Sequence, residues 1–219
     1  MTMKTDAQLK DDVIAELSWE PSVNATQIGV EVKDGIVTLT GHVDSYAEKW
    51  HAESAAQRVS GVRALAVEMD VTLGGSARRT DAEIANSVQD VLRWTTNLPM
   101  NSVKIMVEGG SVTLSGEVEW DYQRRIATNA LRHLIGVEGI NNNLAIKPRA
   151  SSGAIKADIE AALKRRAQDD ARHISVEVCG SDVTLTGTVH SLSERELVAS
   201  SAWGTPGVQK VVDRITIAP

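Results

Sequence analysis

The side chains that most often carry chemistry in proteins are sparse in this sequence. Histidine occurs five times and cysteine once in 219 residues. The histidines, at positions 42, 51, 133, 173 and 190, form no His-x-x-x-His pair, and one cysteine forms neither a Cys-x-x-Cys pair nor an intrachain disulfide. A nucleophilic thiol needs a base and an orienting group, and His173 and Asp182 make no recognisable arrangement of that kind with Cys179. We therefore expect no catalytic residue, no metal site, no cofactor and no enzyme.

Glycines beside turns could instead indicate phosphate-binding loops. Gly35 and the pair Gly109-Gly110 lie between two alternating apolar segments rather than before a helix, and no P-loop lysine follows them. Asp34-Gly35 is a sequence typical of a tight hairpin turn. Turn geometry therefore explains these glycines better than a phosphate site does.

The hairpins belong to a segment that the chain contains three times, each with the core Val-Thr-Leu-x-Gly-x-Val. A Gly-Val pair follows each core, and both markers recur at spacings of 75 and then 71 residues. The motif glycines are Gly41, Gly116 and Gly187, and the marker glycines are Gly61, Gly136 and Gly207. Two markers that share both spacings indicate three copies of one module.

Each copy shows the same succession of patterns. Apolar residues at every fourth position, such as Leu9, Val13 and Leu17, predict a first helix. Two segments of alternating apolar and polar residues on either side of the turn predict a hairpin. An alanine-rich segment then predicts a second helix, and a last alternating segment predicts a third strand. Because the outward strand positions are mostly polar, helices can cover only one sheet face. We predict an α+β fold of three tandem two-layer α/β sandwiches, each helix-strand-strand-helix-strand with a mixed three-stranded sheet. The predicted modules are residues 1–74, 78–148 and 153–219, with the motif glycine explained by close approach of a helix backbone or by a bulge.

The charge and the apolar content of the sequence limit the kinds of partner that the protein can bind. The formal net charge is −6, and residues 1–75 alone carry 6 basic and 12 acidic side chains. A nucleic-acid reader normally presents a basic face, so we expect no nucleic-acid partner. The first residues lack the apolar run of a signal peptide, and no window reaches the ~20 apolar residues of a membrane span. We therefore expect no transmembrane segment and a cytoplasmic location.

The full pattern in each copy resembles the BON domain, a bacterial module named for osmotically inducible protein Y and for nodulation proteins. In the first copy the hairpin reads V-x-V-x-x-G-x-V-T-L-x-G-x-V, and an alanine-rich helix, Gly-Val and a last strand follow it. The segment Ile140-Asn141-Asn142-Asn143-Leu144 in the middle copy is also similar to the family. The resemblance implies a non-catalytic, transport-associated module linked to osmotic stress and to anionic phospholipid or envelope surfaces. Its known members are often periplasmic.

Residues that differ between the copies are the candidates for a specific binding function. Trp19 and Trp94 share the end of the first helix, whereas Trp50, Trp120 and Trp203 are unshared. The candidate residues for binding lipid or another partner are aromatic side chains beside arginines, namely Arg93, Trp94, Trp120, Tyr122, Arg124 and Arg125. Such neighbours suit a lipid–water interface, where the ring lies at headgroup depth and the guanidinium meets phosphate. Packing of module against module is the favoured interpretation of the tryptophans, and a small-ligand or client site is the third.

Two functions follow from these observations. The first is a peripheral protein that binds anionic phospholipid surfaces. The alternative is a cytoplasmic stress-response protein that acts as a chaperone-like interaction scaffold, with protein partners or self-association. Liposome binding distinguishes the two.

Overall fold

The computed structural model of the chain describes residues 4–99, 102–147, 174–205, 208 and 210–218. Within these residues the first and middle copies follow the order helix-strand-strand-helix-strand, and the third follows strand-strand-helix-strand. The first helix predicted for the third copy, and Gly207, lie outside the described residues. The predicted fold of three tandem α+β modules is confirmed.

The helices and strands have the following bounds. The first copy contains α1 (Asp6–Trp19), β1 (Ile28–Lys33), β2 (Ile36–Val43), α2 (Tyr46–Arg58) and β3 (Ala64–Val71). The middle copy contains α3 (Asp81–Trp94), β4 (Val103–Glu108), β5 (Ser111–Val118), α4 (Asp121–Leu131) and β6 (Gly139–Ile146). The third copy contains β7 (Ile174–Cys179), β8 (Asp182–Val189), α5 (Leu192–Trp203) and β9 (Lys210–Ile217).

Both α1 and α3 begin at a capping box. The Thr80 hydroxyl accepts a hydrogen bond from the backbone N–H of Glu83, whose carboxylate accepts from the backbone N–H of Thr80 at 2.8 Å; Thr5 and Gln8 repeat the arrangement. The backbone N–H of Thr80, and then its hydroxyl, lower the pKa of Glu83 below the ordinary value of 4.5. Because the folded pKa is depressed, this cap contributes stability above the pKa of the unfolded carboxyl and loses it as the pH falls through the folded value.

Each three-stranded sheet places the second strand of the copy in the centre. In the middle copy β4 pairs antiparallel with β5, which sets Ile105 opposite Leu114. β5 pairs parallel with β6, which sets Gly116 opposite Leu144. The parallel pairing results from the crossover through α4, since a tight turn can join only antiparallel neighbours. The third copy repeats this mixed pattern in β7, β8 and β9.

The core of the middle copy lies between its sheet and one layer of two helices. Val112 and Leu114 of the central strand are fully buried, and they pack in one cluster with Ile84 of α3 and Leu131 of α4. On the edge strand β4, alternate side chains are exposed, including Met106 at 58 %. The structure thus has the two layers that the alternating pattern predicts.

The motif glycine is required by its own backbone conformation and by a close contact. Gly41 and Gly116 have φ of +121° and +126°, a region that side-chain-bearing residues rarely adopt. A Cβ added to Gly116 would overlap the carbonyl oxygen of Ser102, the residue just before β4, and one added to Gly41 would overlap that of Gln27. The close approach of a backbone that the sequence predicts is thus present, but the approaching backbone belongs to the entrance of the hairpin and not to the helices that cover the sheet. The alternative of a bulge stays a prediction.

A carboxylate at the start of the first helix holds the hairpin turn. The two oxygens of Asp81 accept hydrogen bonds from the backbone N–H groups of Gly109 and Gly110, both at 2.9 Å. Asp6 binds the turn of the first copy in the same way. The turn N–H groups are thus already bound to a negative charge, which agrees with the interpretation of Gly109-Gly110 as a turn rather than a phosphate loop.

The chain divides into two compact units, and the division runs through the first copy. One unit comprises the described parts of residues 1–41, 51–68 and 148–219, and the other comprises residues 42–50 and the described parts of 69–147. The start of α2 therefore belongs to the same unit as the middle copy. Trp50, which lies at the start of α2, therefore belongs to the same unit as the middle copy.

The glycine contact predicts a large effect of one added methyl group. Gly116→Ala should lower the free energy of unfolding of the middle copy by about 2 kcal/mol or more, because the methyl group meets a backbone carbonyl at an unfavourable φ. Chemical denaturation followed by circular dichroism measures the change. Gly74→Ala is the matched control, since nothing lies within 4 Å of a Cβ there and φ is −59°. Equal stability of the two variants would contradict the explanation.

Candidate binding surface

The C-terminal end of α3 presents the most exposed aromatic side chain that the structure describes. Trp94 is 85 % exposed, and Trp19 at the equivalent position of the first copy is 83 % exposed. Arg93 precedes Trp94 and forms a long ion pair with Asp90 at 3.6 Å. The pairing of an open indole ring with an arginine expected from the sequence is present on the surface at this point.

A small cleft lies beside this helix end. Its volume is about 180 Å³, and its lining combines apolar side chains with Gln89 and Arg93. The apolar lining consists of Leu92, Leu98, Pro99, Val103 and Ile105. Because Arg93 borders the cleft, a short apolar group could enter it while a negative group meets the guanidinium.

The loop that borders the cleft is held by the start of α4. Gln123 is only 6 % exposed, and its side-chain N–H donates to the carbonyl oxygen of Asn97 at 2.7 Å. Its side-chain oxygen accepts from the backbone N–H groups of Glu119 and Trp120 at 2.9 and 3.1 Å. One buried amide thus fixes the loop after α3 to the helix that carries the second predicted cluster.

In that second cluster the two arginines share a buried carboxylate. Asp121 is 4 % exposed and forms ion pairs with Arg125 at 3.1 Å and with Arg124 at 3.4 Å. Tyr122 between them is 38 % exposed, and Trp120 is half-buried. The six predicted residues therefore do not form one patch of positive charge, because Arg93 borders the cleft and pairs with Asp90, whereas Arg124 and Arg125 share the carboxylate of Asp121.

A larger cleft of about 400 Å³ lies at the start of α3, with Arg78, Arg79, Asp81 and Glu138 among its lining residues. The Gly109-Gly110 turn also borders it, and Asp81 already occupies the N–H groups of that turn. Two carboxylates beside two arginines give this cleft no preference for anions.

Of the remaining tryptophans, Trp50 contacts another copy, as the packing interpretation predicts, whereas Trp203 packs within its own copy. The ring of Trp50 lies under the guanidinium of Arg132 of the middle copy, 3.4 Å from its centroid to the guanidinium carbon. Trp203 packs against the core of its own copy.

The sequence analysis did not identify Asp121 or Gln123 as residues of the site. The spacing of Asp121 from Arg124 and Arg125 is nevertheless that of ion pairs along one helix face.

Among the residues that the structure describes, no group of three or more His, Cys, Asp or Glu side chains is placed to hold a metal. Cys179 is exposed at the end of β7. Within the same described residues, no helix has both the length and the apolar character to cross a membrane.

Comparison with known families gives one match for each copy. The BON domain family matches residues 5–73, 80–148 and 151–219. The chain is also similar to osmotically-inducible protein Y of Escherichia coli (strain K12), with 27 % identity over 146 residues, which are 65 % of this chain and 73 % of that protein.

Two solved structures from type III secretion systems show weaker likeness. A structure of CdsD, a structural protein of the system of Chlamydia trachomatis, has 15 % identity and a TM-score of 0.25, covering 95 % of this chain and 91 % of that chain. The periplasmic domain of the inner membrane protein PrgH from S. typhimurium has 14 % identity and a TM-score of 0.22, covering 87 % and 99 %.

The hydrogen bonds of the Gln123 amide predict that its removal destabilises the protein where the loop bordering the cleft meets α4. Gln123→Ala should lower the free energy of unfolding by roughly 1–3 kcal/mol, because the carbonyl of Asn97 and two backbone N–H groups lose a buried partner. Chemical denaturation measures this loss. Gln89→Ala is the control, since this glutamine lies exposed at the cleft and its truncation should stay within about 0.5 kcal/mol. Similar losses in both variants would refute the bridging role.

Proposed function

Because the chain belongs to the BON domain family, which matches all three copies, we propose that it is a binding protein without a catalytic role. Its proposed ligand is an anionic phospholipid surface, contacted by the middle copy. The similarity to an osmotically-inducible protein supports a role under osmotic stress. The cytoplasmic location expected from the sequence stays a prediction.

The observation that carries the proposal is the exposure of Trp94. A tryptophan that is 85 % exposed leaves a large apolar ring in water, and burying it at the headgroup level of a bilayer removes that surface from water. Among the described aromatic side chains only Trp19 is exposed to a similar degree. The position of Trp94 at the end of α3 leaves it open to a flat surface.

Arg93 supplies the electrostatic part of the proposed contact. Its ion pair with Asp90 is long and exposed, and exposed pairs of this kind contribute little energy. A lipid phosphate can therefore replace Asp90 at the guanidinium. Since one basic residue near an anionic surface contributes about 1 kcal/mol, binding through a single arginine should be weak and sensitive to salt.

The charges of the chain support a contact through the middle copy rather than the first. Residues 1–75 carry an excess of acidic side chains, which an anionic surface repels. In the middle copy, Arg124 and Arg125 share the single carboxylate of Asp121, so this cluster of three side chains keeps one net positive charge beside the exposed ring of Tyr122. The cluster is thus a weaker second candidate for headgroup contact.

One observation favours the alternative of a protein-interaction scaffold. Trp19 is 83 % exposed in the acidic first copy, where a lipid anion is disfavoured. Exposed tryptophans at the same position of an acidic copy and of a nearly neutral copy, whose residues 76–150 carry 9 basic and 8 acidic side chains, fit a protein partner with apolar surface, such as an unfolding client.

The lipid proposal predicts selective binding to vesicles. Co-sedimentation should detect weak binding of the protein to anionic vesicles and less to zwitterionic ones, with the anionic binding falling as salt rises. The double variant Arg93→Ala/Trp94→Ala should lose most of this binding. Trp19→Ala is the matched control, because it removes an equally exposed ring at the equivalent helix position and should leave binding unchanged.

Equal binding to both vesicle types, or no binding at all, would exclude the lipid proposal. In that case suppression of client aggregation tests the scaffold alternative. The protein should then slow the aggregation of a thermally unfolding client, and Trp19→Ala should weaken that effect. A protein that suppresses no aggregation would remove the alternative as well.

A further inference from the structure

The start of α2 contacts the middle copy through two aromatic side chains that lie one helical turn apart. Tyr46 packs against the core cluster of the middle copy. The guanidinium of Arg132, the residue after α4, lies over the ring of Trp50 at 3.4 Å. Arg132 also donates to the side-chain oxygen of Asn129 at 2.7 Å, which helps to hold the guanidinium in place. This contact is a cation–π pair between two copies.

A second contact between copies uses the same two ends of the second helix. The backbone N–H of Gly61, just after α2, donates to the carbonyl oxygen of His190, just before α5, at 3.2 Å. In both cases the C-terminal end of one copy's second helix meets the start of another copy's second helix. The first copy supplies the helix start in one contact and the helix end in the other.

The copies differ at the two positions that form the cation–π pair. The repeat spacings of 75 and 71 residues identify the equivalent positions in the other copies. The position equivalent to Trp50 is Arg125 in the middle copy and Glu196 in the third. The position equivalent to Arg132 is Gln57 in the first copy and Trp203 in the third. The buried strand residues and motif glycines are the same in all copies, or differ only by similar side chains. Since all copies share the scaffold, it cannot distinguish one copy from another, whereas these two positions can.

We propose that the two positions select which copies of the module pair with each other. Trp50 on the helix start accepts the cation of Arg132 on the helix end, and this complementarity makes the middle copy the partner of the first copy's helix start. The partner recognised by this surface is thus another module of the same chain. A copy with glutamine at the end position, or with arginine or glutamate at the start position, cannot form this cation–π pair.

Exchanging the two side chains tests the selection. Trp50→Arg sets two guanidinium groups against each other, and adding Arg132→Trp restores a cation–π pair of reversed direction. Each replacement is the residue that another copy carries at the same position, so the helices tolerate both. Hydrogen–deuterium exchange of the full chain is followed in peptides covering residues 46–58 and 126–137. The single variant should exchange roughly threefold faster or more in both peptides, and the double variant should return to the wild-type rate.

Two controls separate pairing from general stability. Exchange in residues 111–118, the buried central strand, should stay at the wild-type rate in every variant if the middle copy keeps its fold. Trp94→Arg places the same residue at an exposed site of the same unit and should leave both peptides unchanged. Unchanged exchange in Trp50→Arg, absence of rescue in the double variant, or faster exchange in the central strand or in Trp94→Arg would overturn the proposal.

Discussion

The close approach of two backbone segments inside the hairpins of the first and middle copies is the constraint on which these modules depend. At Gly116 the chain adopts a φ of +126° and passes so near the carbonyl oxygen of Ser102 that no side chain fits. This geometry fixes how the hairpin enters the sheet and therefore which strand faces meet the helices. Gly41 repeats the arrangement with Gln27, and Gly187 has a φ of +143°. The glycine of the repeated motif is thus a requirement of the fold.

Around this hairpin the first and middle copies add the same two contacts. Asp6 and Asp81 bind the turns of the first two copies, and Thr5 and Thr80 begin the helices that carry those carboxylates. By the repeat spacing, the third copy carries serine at both of these positions, so its sequence lacks the turn-binding carboxylate. Shared residues therefore build the hairpin in every copy, whereas the carboxylate that binds the hairpin turn is not shared by all three sequences.

Much of the fold follows from the sequence because alternation, capping residues and a repeated motif are local signals. The reason for the motif glycine could not be predicted, since a backbone contact between Gly116 and Ser102 is set by the register of the hairpin. At the candidate site, the exposure of Trp94 agrees with its place at a helix end. The pairing of Arg124 and Arg125 with Asp121 was accessible from helix spacing, but the burial of that carboxylate was not. The contact of Trp50 with Arg132 joins distant parts of the chain, and no local pattern predicts it.

Shared residues build the scaffold, and we propose that an unshared neighbourhood, Arg93 beside Trp94, makes the contact with a partner surface. The most direct measurement is the tryptophan fluorescence spectrum of the protein as anionic vesicles are added. We expect a shift of the emission to shorter wavelength, because an exposed indole enters an apolar environment, and Trp94→Ala should abolish the shift without changing the free energy of unfolding. An emission spectrum that does not respond to vesicles, or a response that survives the loss of Trp94, would contradict it.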